Sequence, residues 1–270
     1  MKFDLLSFED SQKPQIKEML DALKINKKEA VDRGDEELAN NCWREIESIK
    51  LNVLFIGVFN KIKNKNYRDA WCDLEKCEHK CNIIEENSGQ EFLIRSRINF
   101  IKDKVTKWQS LYPYCVFSSP EFTVGYYTCS ICGHKIRPRS RCEHKRGKIY
   151  NGELCVHVAN DMEFRRVSLV KNPVQKYSVV HNDETLDFSL IDYLYDLLEN
   201  AFEEWDLNWT RKSFPIERFS NVDIDSQCPC RSGKLFKDCC INKDEIEIPH
   251  VDFLLDKNIP KDKAGIRIPY

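Results

Sequence analysis

The chain has no apolar run long enough to cross a bilayer. The longest, Val53-Leu54-Phe55-Ile56-Gly57-Val58-Phe59, covers seven residues, against about 20 for a membrane helix. The start of the sequence, Met1-Lys2-Phe3-Asp4-Leu5-Leu6, lacks the apolar core and small-residue cleavage site of a secretory signal. Charge of one sign is also missing. With 42 basic and 44 acidic residues the formal net charge is -2, which gives no global pull toward nucleic acid or membrane. No phosphate-binding loop is present, because Arg231-Ser232-Gly233-Lys234 has neither the first glycine nor the preceding strand of that motif. No Gly-x-Ser-x-Gly nucleophile elbow occurs. These absences leave an expected cytoplasmic protein with no membrane partner and no evident catalytic centre.

Cysteine, by contrast, is abundant, with 13 residues in 270. A chain this long can bury a core of its own and does not need a disulfide framework, and disulfides require an oxidising compartment. An odd count fits reduced thiols. Reduced thiols at short, paired spacing read as metal ligands. Cys228-Pro229-Cys230 and Cys239-Cys240 stand either side of a short basic loop, in a stretch too rich in Lys and Asp to be a run of core cysteines. Four such sulfurs close one tetrahedral site. Zinc is the default ion, held at about 2.0 to 2.3 Å with no ligand-field preference to satisfy; iron also suits a four-sulfur tetrahedron.

A second cluster lies mid-chain. Cys129-Ser130-Ile131-Cys132-Gly133 is a zinc knuckle, whose tight turn Gly133 helps to close. Cys142-Glu143-His144 supplies two further donors, giving a fully coordinated and therefore structural Cys3His site. His134 and His157 are alternatives to His144, and Cys155 to Cys142. Cys142 and His144 are favoured because one short loop then closes the site without the downstream strand. Two zinc ions are expected in total. Cys72, Cys77, His79 and Cys81 do not add a third site: on a helix only Cys77 and Cys81 share a face, and small apolar cysteines there read as packing residues.

The C-terminal spacing, with Ser-Gly-Lys after the second cysteine and Lys before the last pair, resembles the SEC-C motif, found at the C-terminus of the SecA protein-translocation ATPase and appended to many other bacterial proteins. Cys228, Cys230, Cys239 and Cys240 occupy its ligand positions. Arg231 stands where the family usually has Gly, and Ile241 where Gly often follows the last ligand. The resemblance implies a docking tag for macromolecules, since in SecA the module is linked with the SecB chaperone and the ribosome. The contact surface it implies is Lys234, Leu235, Phe236 and Lys237.

Hydrophobic periodicity places these motifs in an α+β fold. Helical spacing runs over Pro14 to Asp32, Glu36 to Lys63, Tyr67 to Glu86 and Glu91 to Leu111, which predicts an N-terminal antiparallel helical bundle at 1–112. Residues 113–210 then form a zinc-knuckle domain. Short β-branched runs at Leu154 to Val158, Arg166 to Val170 and Tyr177 to Val180, with turns near Asn160-Asp161 and Asn172-Pro173, predict a small antiparallel sheet. Leu190 to Trp205 reads as one amphipathic helix covering it, capped by Asp187 or Ser189. Residues 211–243 form the SEC-C-like module, tethered rather than packed, and 244–270 an extended tail with Pro249, Pro260 and Pro269.

Local charge is uneven. Lys135, Arg137, Arg139, Arg141, Lys145, Arg146 and Lys148 face a single acid, Glu143, within Lys135–Lys148, whereas residues 181–208 carry nine acids from Asp183 to Asp206 and no Lys or Arg. The basic finger gives a nucleic-acid reading through phosphate contacts; the bland alternative is two solvated surfaces. A His-Asn-His-like nuclease with His144 as general base is the weakest reading, because it takes one ligand from the knuckle. The expectation is a cytoplasmic zinc-binding adaptor for a protein or ribonucleoprotein partner, with no enzymatic motif in the sequence.

Overall fold

The computed structural model describes residues 5–256. They form an α+β chain with two compact units, one of residues 5–188 with Asn200–Phe202, the other of Ser189–Glu199 with residues 203–256. No helix among the described residues is long and apolar enough to cross a membrane.

The first unit opens with helices α1 (Phe8–Ser11), α2 (Pro14–Asp32), α3 (Glu36–Lys63), α4 (Tyr67–Glu86), α5 (Gln90–Arg95) and α6 (Ile98–Leu111). Pro14 begins α2, where a missing N–H costs nothing, and Gly34 leaves it at φ 72°. Asp35 caps α3 by accepting the Leu38 N–H at 3.0 Å, with Glu36 and Glu37 in the first turn and Lys61 and Lys63 in the last, complementing the helix dipole at both ends. Ile49, Phe55, Leu74, Cys77, Cys81, Ile101, Val105 and Trp108 are all buried between these helices. Burial pushes the Cys77 and Cys81 thiols up, the latter to about 12, and His79 is exposed, so these residues pack rather than ligate.

The expected single helix from Glu91 to Leu111 is broken in two. Arg97 takes a left-handed φ of 62°, and the buried Asn52 side chain of α3 donates to the Ser96 carbonyl at 3.0 Å. That bond satisfies a carbonyl which a continuous helix would have used itself.

After the helices come β1 (Phe117–Cys129), β2 (Lys135–Ile136), β3 (Ile149–Tyr150), β4 (Glu153–Leu154) and β5 (His157–Val170). The sheet order is β2-β1-β5, all antiparallel, with β3 and β4 a separate pair. Two sequence expectations change here. The turn near Asn160-Asp161 is absent: Asp161 sits inside the continuous β5 at φ 53°, and Gly125 of β1 accommodates it, since a Cβ on that glycine would lie 2.8 Å from the Asp161 Cβ. Tyr177 to Val180 makes only a single bridge, Val179 with Phe117. Its loop is held instead by α4, where buried Glu75 accepts the Lys176 and Tyr177 N–H groups, each at 2.6 Å, and the Trp71 indole donates to the Lys176 carbonyl.

The second unit contains α7 (Ser189–Leu197), β6 (Trp205–Pro215) and β7 (Glu245–Leu255). The expected helix to Trp205 therefore ends at Leu197, and Trp205 starts a strand. The helix belongs with β6 and β7 and not with the knuckle sheet; Tyr193 of α7 lies against Phe253 of β7 with ring centroids 5.8 Å apart. Nor is the segment from Ile246 a free tail. β6 and β7 pair in unbroken register from Trp205↔Leu255 to Pro215↔Glu245, crossing the expected boundaries at 210 and 243. Residues 257–270, with Pro260 and Pro269, lie outside the described residues.

Candidate metal centres

Both expected thiol sets converge. The donor atoms of Cys228, Cys230, Cys239 and Cys240 lie within 4.8 Å of one another, and so do those of Cys129, Cys132, Cys142 and His144. Ligands held at about 2.3 Å in a tetrahedron sit roughly 3.8 Å apart. Cys230 Sγ is 3.6 Å from Cys239 Sγ, and Cys239 Sγ is 3.6 Å from Cys240 Sγ. The set thus stands close to the spacing an ion needs.

The C-terminal loop reaches this geometry through its backbone. The Cys228 N–H donates to the Lys234 carbonyl at 2.9 Å, and the Cys239, Cys240 and Ile241 N–H groups all donate to the Phe236 carbonyl. Between the pairs the chain turns through left-handed residues, Arg231 at φ 57° and Gly233 at φ 82°. Left-handed backbone explains why Gly suits position 231, and Arg there carries strain of about 1 kcal/mol. Burial pushes the Cys230 thiol up, but the Ser232 hydroxyl and N–H and the thiols of Cys228 and Cys239 outweigh it and bring it to about 6. Burial raises Cys228 to about 12.

This loop is not tethered. Cys228, Phe236 and Cys240 share a buried cluster with Phe219, Ile246 and Ile248, so the sulfurs form part of the core between the module and the β6–β7 ribbon. Phe236, 4 % exposed, is a core residue and not part of a contact surface. Arg231, Lys234 and Lys237 remain exposed, Lys237 paired with Asp225 at 2.6 Å.

In the central cluster Cys129 ends β1, and the Gly133 N–H, at φ 71°, closes the knuckle onto the Cys129 carbonyl at 2.8 Å. Burial pushes the Cys129 thiol up, yet N–H groups of Cys132 and Ile131 and the thiols of Cys142 and Cys155 bring it down to about 6. His144 Nδ1 is buried with no hydrogen-bond partner among the described residues, and its ring stands edge-on to Tyr150 at 4.7 Å. An orphaned buried nitrogen beside three thiols fits a metal, which would supply the missing partner. The alternatives His134 and His157 stay outside the cluster. His134 Nε2 lies 3.1 Å from Ser140 Oγ, and His157 occupies the ladder position opposite Cys129.

Cys155 enters in an unexpected way. It is fully buried, 0 % exposed, with Sγ 3.7 Å from Cys129 Sγ, a ligand-edge separation. Its N–H donates to the Lys148 carbonyl and its carbonyl accepts from Gly147, both at 2.8 Å. The segment between β4 and β5 therefore brings a fourth sulfur, and a fifth donor, to a site expected to close without it. The whole loop is bolted to the helices by Asn87, whose side chain donates to the Gly147 carbonyl at 2.7 Å and accepts the Ile149 N–H at 3.2 Å.

Charge is placed less evenly than the sequence implied. Asp183 leaves the acidic stretch to accept from Arg68 at 2.7 Å and from the Tyr114 hydroxyl at 3.0 Å. In the basic finger Lys135 lies over the Tyr126 ring at 3.5 Å. Arg137, Arg139, Arg141, Lys145 and Arg146 are exposed.

Among known protein families, the SEC-C motif matches residues 226–242, the segment that holds the four-cysteine cluster. No curated protein and no solved structure matches the chain. The fold and the two clusters define a metal-binding α+β protein that carries a SEC-C motif.

Proposed function

We propose that the chain is a zinc-binding adaptor, cytoplasmic, with two structural ions, that docks on a protein or ribonucleoprotein partner through its metal modules. The observation that carries this reading is the SEC-C match over four converging sulfurs. Both donor sets are complete with four protein ligands, and a filled tetrahedron leaves no open position for substrate. Zinc is favoured over iron by the Cys3His set, since imidazole with thiolate is a frequent structural zinc pairing. The nuclease reading asks His144 to stand free as a base, while its buried Nδ1 faces a thiol cluster. With Phe236 in the core and Lys237 paired with Asp225, the proposed docking surface shifts to Arg231, Lys234 and the backbone around Gly233.

Elemental analysis of the full chain should give close to two zinc ions, with Cys132→Ser and Cys228→Ser each removing about one. Capture of a partner from cytoplasmic extract should fail for Arg231→Glu with Lys234→Glu while the metal content stays at two. Retained capture by that variant would remove the docking surface from the argument.

Nucleic-acid binding is the second reading, favoured by one observation: Arg137, Arg139, Arg141, Lys145 and Arg146 form no ion pair among the described residues. If they meet phosphates, Arg137→Ala with Arg139→Ala should reduce the salt slope of RNA or DNA binding by roughly one unit per lost contact. No binding at low salt would end this reading.

A further inference from the structure

β1 and β5 pair along almost their whole length as a two-stranded ribbon, and β2 joins them only at Tyr127 and Thr128. Side chains directly opposite in a ladder share a face. Phe122 is opposite Phe164, Val124 opposite Met162, Pro120 opposite Val167 and Ser118 opposite Leu169. These pairs build one apolar face. The other face carries Glu121 with Arg166 and Thr123 with Glu163.

Phe164 and Val167 are three residues apart, so in a regular strand they would point to opposite faces. A bulge corrects this. The register shifts between Glu121 and Phe122, which leaves Arg165 without a ladder partner. Arg165 turns to the polar face, where it donates to Thr123 Oγ1 at 2.7 Å and pairs with Glu163 at 3.1 Å. Arg166 pairs beside it with Glu121 at 2.6 Å. The extra residue thus keeps the apolar set in phase through the bend, which is how a bulge re-aims a strand.

The face so built is open to solvent. Phe122, Met162, Phe164, Val167 and Leu169 are 44, 53, 55, 56 and 68 % exposed. No charged residue lies on it between Leu169 and Met162. A two-stranded ribbon is marginal by itself and becomes stable when a further layer covers its apolar face.

We propose that two copies of this chain meet here, ribbon against ribbon, as a two-layer arrangement of four long strands. Three features choose a second copy over another occupant. A face without charge has nothing to repel its own image and nothing to steer a charged partner. A twofold axis needs one self-complementary patch, and this patch carries no charge and is apolar apart from Ser118. The five side chains expose roughly 500 Å² per copy, hence about 1,000 Å² for the pair, the least that a specific interface buries. Stacked sheets pack about 10 Å apart with interdigitating side chains, a spacing that two facing rows of Phe, Met and Leu fill. This assignment stands apart from the adaptor reading, because neither metal cluster lies on the face.

Sedimentation equilibrium of the full, zinc-loaded chain tests it. The expected mass is twice the 31.9 kDa of one chain at concentrations of about 50 μM. Phe164→Glu with Leu169→Glu should weaken association at least about a hundredfold, because each copy would bury two unpaired carboxylates. Phe164→Thr with Leu169→Thr keeps strand propensity and should act in the same direction if the charged variant fails to fold. Ser168→Glu, on the polar face, should leave the dissociation constant within about twofold. A monomeric wild type up to about 100 μM overturns the proposal, as does a dimer that either face variant leaves intact.

Discussion

Phe236 lies between the two cysteine pairs of the SEC-C motif and inside the core of the second unit, so shortening it should perturb metal affinity and folding together. The ring is 4 % exposed, against Phe219, Ile246 and Ile248, which are 1, 0 and 2 % exposed. Phe236→Ala keeps the backbone carbonyl that accepts the Cys239, Cys240 and Ile241 N–H groups, so the ligand loop retains its hydrogen bonds. What goes is packing. A buried Phe→Ala costs about 3 to 5 kcal/mol through lost transfer energy and the cavity left behind. Structural zinc contributes on the order of 10 to 16 kcal/mol in small modules, so the loaded protein should stay folded. Because the ligands and the ring assemble in one core, the lost packing should appear as weaker binding, by about two to three and a half orders of magnitude at about 1.4 kcal/mol per decade. Competition with a chromophoric chelator measures this on the full chain, and the central cluster serves as an internal reference that should not move. A variant whose C-terminal ion resists the chelator as well as wild type would refute the coupling of core and metal, and would restore a tethered module.

Two further perturbations test packing, one in each unit. Burial, and then nearby Lys212, hold the His250 imidazole below its ordinary range against the opposing pull of Asp252, so its stabilising contribution is complete above pH about 6.5 and is lost as pH falls through the lowered folded value; thermal unfolding of His250→Gln should show a shallower acid slope than wild type, and identical slopes would sink the assignment. Gly152 stands at φ 71°, where a Cβ would lie 2.7 Å from Lys27 Cδ and 3.0 Å from the Ala39 carbonyl oxygen, so Gly152→Ala should cost about 1 to 2 kcal/mol and lower the thermal midpoint, and an unchanged midpoint would show that the β3–β4 turn is not held against α2 and α3.

What the sequence revealed was local. Helices α2, α3 and α4 each declare themselves through apolar spacing, a proline or acid at the start, and a glycine or asparagine at the end. The eight donor residues were legible because ligand sets with short spacing need no knowledge of the fold. What escaped depends on partners distant in the chain. β6 carries Asp206, Asn208, Thr210, Arg211, Lys212 and Ser213 and reads as polar until β7 pairs with it. β7 contains Pro249, which is compatible with a two-stranded ribbon because the missing N–H can face an open edge. Trp205 continues the helical pattern of Leu190 to Leu198, and only its pairing with Leu255 shows it to be a strand residue. Cys155 reaches Cys129 because the β1–β5 register sets Cys129 opposite His157, a relation that no local spacing contains. The break at Arg97 answers to Asn52, more than 40 residues away.

Each unit holds a long two-stranded ribbon, and each ribbon has a thiol cluster at or near one end. In the first unit Cys129 terminates β1 and Cys155 lies just before β5, so an ion held by the knuckle would fix the end of the ladder at Cys129↔His157. In the second, the loop with Cys228, Cys230, Cys239 and Cys240 connects β6 to β7 and packs on Ile246 and Ile248. Two strands pairing across so long a connection lose more chain entropy than a tight hairpin would, and a pair of strands alone buries too little apolar surface to offset it. A cluster of ligands at the base of the ribbon answers both deficits, since coordination closes the loop and its sulfurs add to the core. The two ribbons differ in what covers them: α7 sets Tyr193 on Phe253 of the β6–β7 pair, while the Phe122–Phe164 face of the β1–β5 pair is left exposed. That difference is why a second copy is placed on the first ribbon and not on the other.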